Sequence, residues 1–143
     1  APTGRFDLVI GDAFGGPSVP WHLTTKEFVE DVHARLAPGG VYTLNVIDYP
    51  PLDFVRAEMA TIAAVFEHAA LVAPAAYVEG RQGGNFVLVG SDSVIDTGTI
   101  AAATAVRGTA EVAISGGAVD DFVQDARVLT DDFAPVDQLI GKF

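Results

Sequence analysis

The stretch Phe6 to Leu23, FDLVIGDAFGGPSVPWHL, decides how the rest of the chain is read. Phe6, Leu8, Val9 and Ile10 form a nearly continuous apolar run, the pattern of a strand buried on both faces of a parallel sheet. The run leads into Asp12, and Gly15, Gly16, Pro17 and Pro20 shape an irregular loop behind it. In open α/β sheets, ligands bind just past the carboxyl ends of the strands. Asp12 occupies such a place, so chemistry on a small molecule is expected beside it.

Downstream, the spacing of Phe28, Val32 and Leu36 predicts a helix over Thr25 to Leu36 with one apolar stripe. Thr24 or Thr25 can cap it; with Thr24 as the cap, Glu27 completes a capping box. Pro38, Gly39 and Gly40 stop it. Val41 to Ile47 reads as a second buried strand, which runs into Asp48 and then Pro50 and Pro51. Leu52, Val55, Met59, Ile62 and Phe66 mark one face of a second helix, from about Pro51 to Phe66, with proline acceptable at its first position. Asp48 suits its N-terminal cap.

Ala69 to Ala73 and Asn85 to Gly90 read as two strands, close enough in sequence to pair antiparallel. The loop between them carries Tyr77, Glu79, Arg81 and Gly83-Gly84. Helices are expected over Asp96 to Val106 and Ala118 to Ala126, separated by the breaker Gly116-Gly117. The tail, Val128 to Leu139, sets three aspartates around a Phe and a Pro, which suggests a specific turn. Strand-helix-strand-helix-strand-strand is one half of a layered α/β domain. No GxGxxG follows a strand, so a nucleotide-binding half is missing from the pattern.

Composition narrows the function. A length of 143 residues is enough for one domain with a real core, and no apolar run is long enough to cross a membrane. No cysteine is present, which excludes disulfide and thiolate chemistry and suits a cytoplasmic protein. A net charge of -11 argues against nucleic-acid binding and favours a cationic small partner. His22, His33 and His68 show no metal-ligand spacing. The chain has no initiator Met and opens almost directly into a strand, so a cut from something longer is expected.

Taken together, FDLVIGD, AFGGPSVP, TTKEFVEDVHARL, APGG and the tail LTDDFAPVDQL resemble the spermidine synthase family, the polyamine aminopropyltransferases. The tail looks like the C-terminal signature of fused or divergent bacterial members. The resemblance covers about the C-terminal half of the family's catalytic domain. It implies that residues 1–143 are a single, partial domain: the C-terminal half of an S-adenosylmethionine-dependent methyltransferase-like, Rossmann-like layered sheet with an antiparallel last strand pair. It implies aminopropyl transfer from decarboxylated S-adenosylmethionine, as co-substrate, to a polyamine such as putrescine. This chain alone is expected to be inactive, and to form a homo-oligomer or pair with the missing half.

By the same resemblance, Asp12 matches the first loop Asp, which takes the proton from the attacking amine or orients it. Asp12 and Ala13 fall on the cofactor side. Tyr77 is the nearest match to a Tyr beside the amine. The family's second loop Asp falls on Gly15, a departure that bears on amine binding. Judged by chemistry alone, an amine attacking the carbon beside a sulfonium needs a carboxylate within hydrogen-bond reach. Carboxylates also pair with sulfonium and polyamine cations. Asp12 and Asp48, both at strand ends, are expected to face one crevice, with Trp21 and His22 of the loop lining it and Asp131 and Asp132 candidates to close it. Two other readings stay open: a related adenosylmethionine-dependent transferase with another acceptor, and a non-catalytic binding or oligomerisation module built on the strand edge at Phe6 to Ile10.

Overall fold

The computed structural model describes residues 5–12, 19–109 and 111–142. Strands β1 (Phe6–Gly11), β2 (Leu36–Asp48), β3 (His68–Pro74), β4 (Gly84–Ser91) and β5 (Glu111–Ser115) form one sheet in the order β1-β2-β4-β3-β5. β1 and β2 are parallel; the other neighbours are antiparallel. The helices are α1 (Lys26–Arg35), α2 (Asp53–Val65), α3 (Ala75–Val78), α4 (Thr97–Val106), α5 (Gly117–Val123) and α6 (Val136–Leu139). None is long and apolar enough to cross a membrane.

Strand alternation divides the sheet's residues between two faces. Tyr42, Val46, Phe86, Leu88 and Leu71 join Val29, Val32, Val55, Met59, Ile62, Phe66 and Phe122 in the main core, beneath α1, α2 and α5. The register puts Leu8 beside Val41, Ile10 beside Thr43, and Asn45 beside Val87 on the opposite face. That face is thinly covered. Phe6, Leu8 and Ile10 are 45%, 52% and 68% exposed. The expectation of a strand buried on both faces therefore fails for β1. β1 is an edge strand with only β2 beside it, and Val9 is its one apolar side chain packed against the main core.

Several local expectations also shift. Thr25, not Thr24, caps α1, its side chain accepting from Phe28 N at 3.3 Å. Glu27 does not close a capping box and instead accepts from Asp131 N at 3.0 Å. Leu36 leaves the helix and opens β2, opposite Phe6. α2 starts at Asp53, two residues beyond Pro51, because Leu52 takes a left-handed conformation (φ 66°) as its N-cap. α5 ends at Val123, where Gln124 turns left-handed (φ 56°). β5 was not anticipated: EVAIS is too short to stand out, and it forms because the free edge of β3 accepts it. The tail does make a specific turn. Thr130 and Phe133 exchange two backbone hydrogen bonds, with Asp131 and Asp132 exposed at its tip.

Asp48 ties these pieces together. It is fully buried, and its carboxylate accepts from Tyr49 N (2.9 Å), Val55 N (2.9 Å) and Gly141 N (2.7 Å). One side chain thus joins the end of β2, the start of α2 and the end of the tail. Burial raises its pKa, and the backbone donors partly offset that rise. Gly141 is needed at this point, because a Cβ there would run into the carbonyl of Tyr49. Asp48→Ala would leave several buried N–H groups without a partner. It is expected to cost roughly 3 kcal/mol, read as a lowered urea midpoint.

Glu58 is the polar residue least suited to its surroundings. It lies on the core side of α2, 1% exposed, and among the described residues neither carboxyl oxygen has a hydrogen-bond partner. Burial pushes its pKa well above the ordinary carboxylate range. The folded protein therefore keeps a proton that the unfolded chain has lost. Stability from this group is complete below the unfolded pKa and declines as pH rises above it, by about 1 kcal/mol per pH unit until the folded group ionises. Glu58→Gln removes that slope. Urea midpoints between pH 5 and 7 are expected to fall for the wild type relative to the variant.

Candidate functional site

Parallel β1 and β2 bring their carboxyl ends to one end of the sheet. β4 runs antiparallel to β2 with Asp48 opposite Gly84, so the start of β4 comes to the same end. The end of β3, and α3 behind it, follow. Topology therefore gathers Asp12, Asp48 and Tyr77 at one end, with the 19–23 segment leading from the loop into α1.

Asp12 is exposed just past β1. Its Oδ1 accepts from Asn45 Nδ2 at 3.1 Å, and among the described residues its second oxygen carries no hydrogen bond. Asn45 sits directly across from the end of β1, because Gly11 pairs with Leu44. Sequence reasoning passed over Asn45. The available signal was a lone amide inside the apolar run VYTLNVI, at the register position facing Asp12. Gly11 lies tight against Leu44 and the Tyr42 hydroxyl, where a side chain would force movement.

Asp48 does not share the crevice. It stands at the expected strand end, but its carboxylate turns inward to the three backbone donors. Trp21 and His22 lie on a 3-10 turn (Trp21–Leu23), both exposed, with their rings edge to face at 5.9 Å. The turn is held by Thr24, whose hydroxyl donates to Trp21 O at 2.6 Å. Tyr77 is half-buried on α3, with its ring 5.7 Å from that of Phe86. It lies over Gly84 so closely that a Cβ there would come within 2.8 Å of the ring. Ala13, Gly15, Gly16 and Pro17 lie outside the described residues. Asp131 and Asp132 stand beside the first turn of α1 through the Glu27 contact.

Two spaces contrast. A small cavity of about 20 Å³ lies behind the turn, lined by Val19, Leu23, Thr24, Asn45 and Glu58 among others. A broader cleft of about 470 Å³ opens at the other end of the sheet, beside Arg5, the Gly39-Gly40 bend and Ser93. It holds the His33–Asp92 pair, at 2.6 Å, which keeps the Asp92 carboxyl below its ordinary range. Position at the strand carboxyl ends, not volume, favours the Asp12 end as the reactive one.

No protein-family model matches the chain, and no curated protein matches it. Among solved structures, the crystal structure of a probable spermidine synthase from Corynebacterium glutamicum ATCC 13032 is similar, with 33% sequence identity and a TM-score of 0.78. The match covers 90% of this chain and 50% of that one, so the chain spans half the length of that neighbour. The five-stranded sheet and its helices thus have the fold of part of a spermidine synthase-like, methyltransferase-like protein.

Proposed function

We propose that this chain supplies the amine-acceptor half of an aminopropyltransferase, which moves an aminopropyl group from decarboxylated S-adenosylmethionine to a polyamine such as putrescine. The observation that supports it best is Asp12, an exposed carboxylate at a strand end whose one oxygen is held by Asn45. The acceptor nitrogen must be unprotonated to attack. A carboxylate at that point removes or holds the proton as the new C–N bond forms and the C–S bond of the sulfonium breaks, releasing a neutral thioether. The exposed rings of Trp21 and His22 provide a wall for the alkyl chain. The net charge of -11 raises the local concentration of a polycation.

The donor's nucleotide needs a glycine-rich loop that these residues lack, so turnover belongs to an assembly that provides it. Assay of this chain together with the nucleotide-binding half of a spermidine synthase, given putrescine and decarboxylated S-adenosylmethionine, is expected to yield spermidine. Asp12→Asn is expected to lower kcat/KM by roughly 10² to 10⁴ without changing the urea midpoint. Transfer of a methyl group instead, or an active Asp12→Asn protein, would favour a related transferase with another acceptor, a reading that Gly15 in the loop motivates.

The exposed edge and apolar face of β1 support a partner at Phe6, Leu8 and Ile10. A partner that lies over both the edge and the face would cover these side chains. The isolated chain is expected to self-associate in sedimentation velocity. Leu8→Lys with Ile10→Lys should return it to monomer.

A further inference from the structure

A pocket of about 160 Å³ lies where the start of α2, the turn after α5 and the tail meet. Asp53 and Arg56 line it from α2, and Asp125 and Arg127 line it from the turn. Each arginine lies over an aromatic ring. The guanidinium carbon of Arg127 is 3.8 Å from the centre of the Phe133 ring, and that of Arg56 is 5.1 Å from the centre of the Phe122 ring. Stacking of this kind occupies the flat face of a guanidinium and leaves its N–H edge to bind.

That edge is little used. Among the described residues, Arg127 makes no hydrogen bond or ion pair, and Arg56 makes one hydrogen bond, donating from Nη1 to the Phe122 carbonyl at 3.0 Å. Arg56 Nε is buried without a partner. Asp53 and Asp125 form no ion pair with either arginine, although all four side chains line one pocket. The fold thus presents two cations and two anions together and joins none of them.

We propose that this pocket binds a small apolar α-amino acid, its carboxylate taken by Arg127 and Arg56 and its ammonium by Asp53 and Asp125. Charge selects the zwitterion. A lone oxyanion would meet the arginines but also two carboxylates, and a lone amine would meet the reverse; a ligand carrying both charges matches both pairs. Ala57, Val123 and Leu139 supply apolar wall for its side chain. Pockets for drug-sized ligands run from about 300 Å³ upward, so this one suits a molecule of only a few heavy atoms. The occupant would touch α2, the turn and the tail at once. Phe133 and Leu139 belong to the tail that ends on Asp48 through Gly141 N, so binding would hold that tail in place. The site is separate from the reaction proposed at Asp12 and does not depend on it.

NMR titration of the ¹⁵N-labelled chain with three matched probes tests the proposal: L-valine, isovalerate, which lacks the ammonium group, and isobutylamine, which lacks the carboxylate. L-Valine is expected to shift the Arg127 Nε–H and the amides of residues 124–127 saturably, and to raise the urea midpoint. The other two probes should bind at least tenfold more weakly. Arg127 and Asp125 are exposed, so Arg127→Met and Asp125→Asn should keep the ligand-free urea midpoint. Arg127→Met is expected to weaken L-valine at least tenfold; Asp125→Asn should weaken L-valine while leaving isovalerate no weaker. Isovalerate binding as tightly as L-valine, unchanged L-valine affinity in both variants, or no saturable shift with L-valine would each overturn the proposal, and none of these bears on aminopropyl transfer.

Discussion

The architecture turns on a buried carboxylate that is fully occupied. Asp48 meets three backbone N–H groups from parts of the chain up to 93 residues apart. Each bond would be modest at a surface, but together, away from water, they leave the acid little alternative geometry. The left-handed Leu52 follows from this, because it brings the α2 amide of Val55 to Asp48. The tail's path follows as well. Leu129 N reaches the Thr61 hydroxyl, Asp131 N reaches Glu27, and Gly141 N completes the run at Asp48. The tail is thus a strap across α1 and α2 that ends beside the candidate site.

The two buried acids on either side of the first turn of α2 make a useful contrast. Asp48 is surrounded by donors and serves the backbone. Glu58, a turn and a half into the helix, lies in a mostly apolar setting, and its carboxyl oxygens have no hydrogen-bond partner among the described residues. A fold tolerates such a residue at a cost in stability. Asp12 differs from both: it is half-held by Asn45 and open to solvent.

The sheet is similarly uneven. Its helix-covered face is closed and apolar, with Tyr42, Phe86 and Leu88 beneath α1, α2 and α5. Its other face and its β1 edge carry apolar side chains that this chain does not cover. The edge strand is apolar in sequence and stands exposed.

Much of this was legible in the sequence because it rests on local rules. Apolar periodicity marked β1, β2, α1 and α2; glycine and proline marked their ends; the short spacing of β3 and β4 marked an antiparallel pair; and strand-end logic singled out Asp12. The motifs also carried the resemblance to spermidine synthases that the structural likeness supports in fold. Contacts across long separations decided the rest. Whether Asp48 faced a crevice or the backbone depended on Gly141, 93 residues away. Asn45 gained its role only from register against β1, and Glu58 became anomalous only once Leu23 and Val46 closed around it. The short β5 needed a neighbouring edge to exist. Residue order specified most of the segments that would be helix or strand and placed Asp12 at the end of β1. Tertiary structure alone decided which acids are spent on the fold and which remain available, because desolvation and hydrogen-bond partners arise only when distant segments meet.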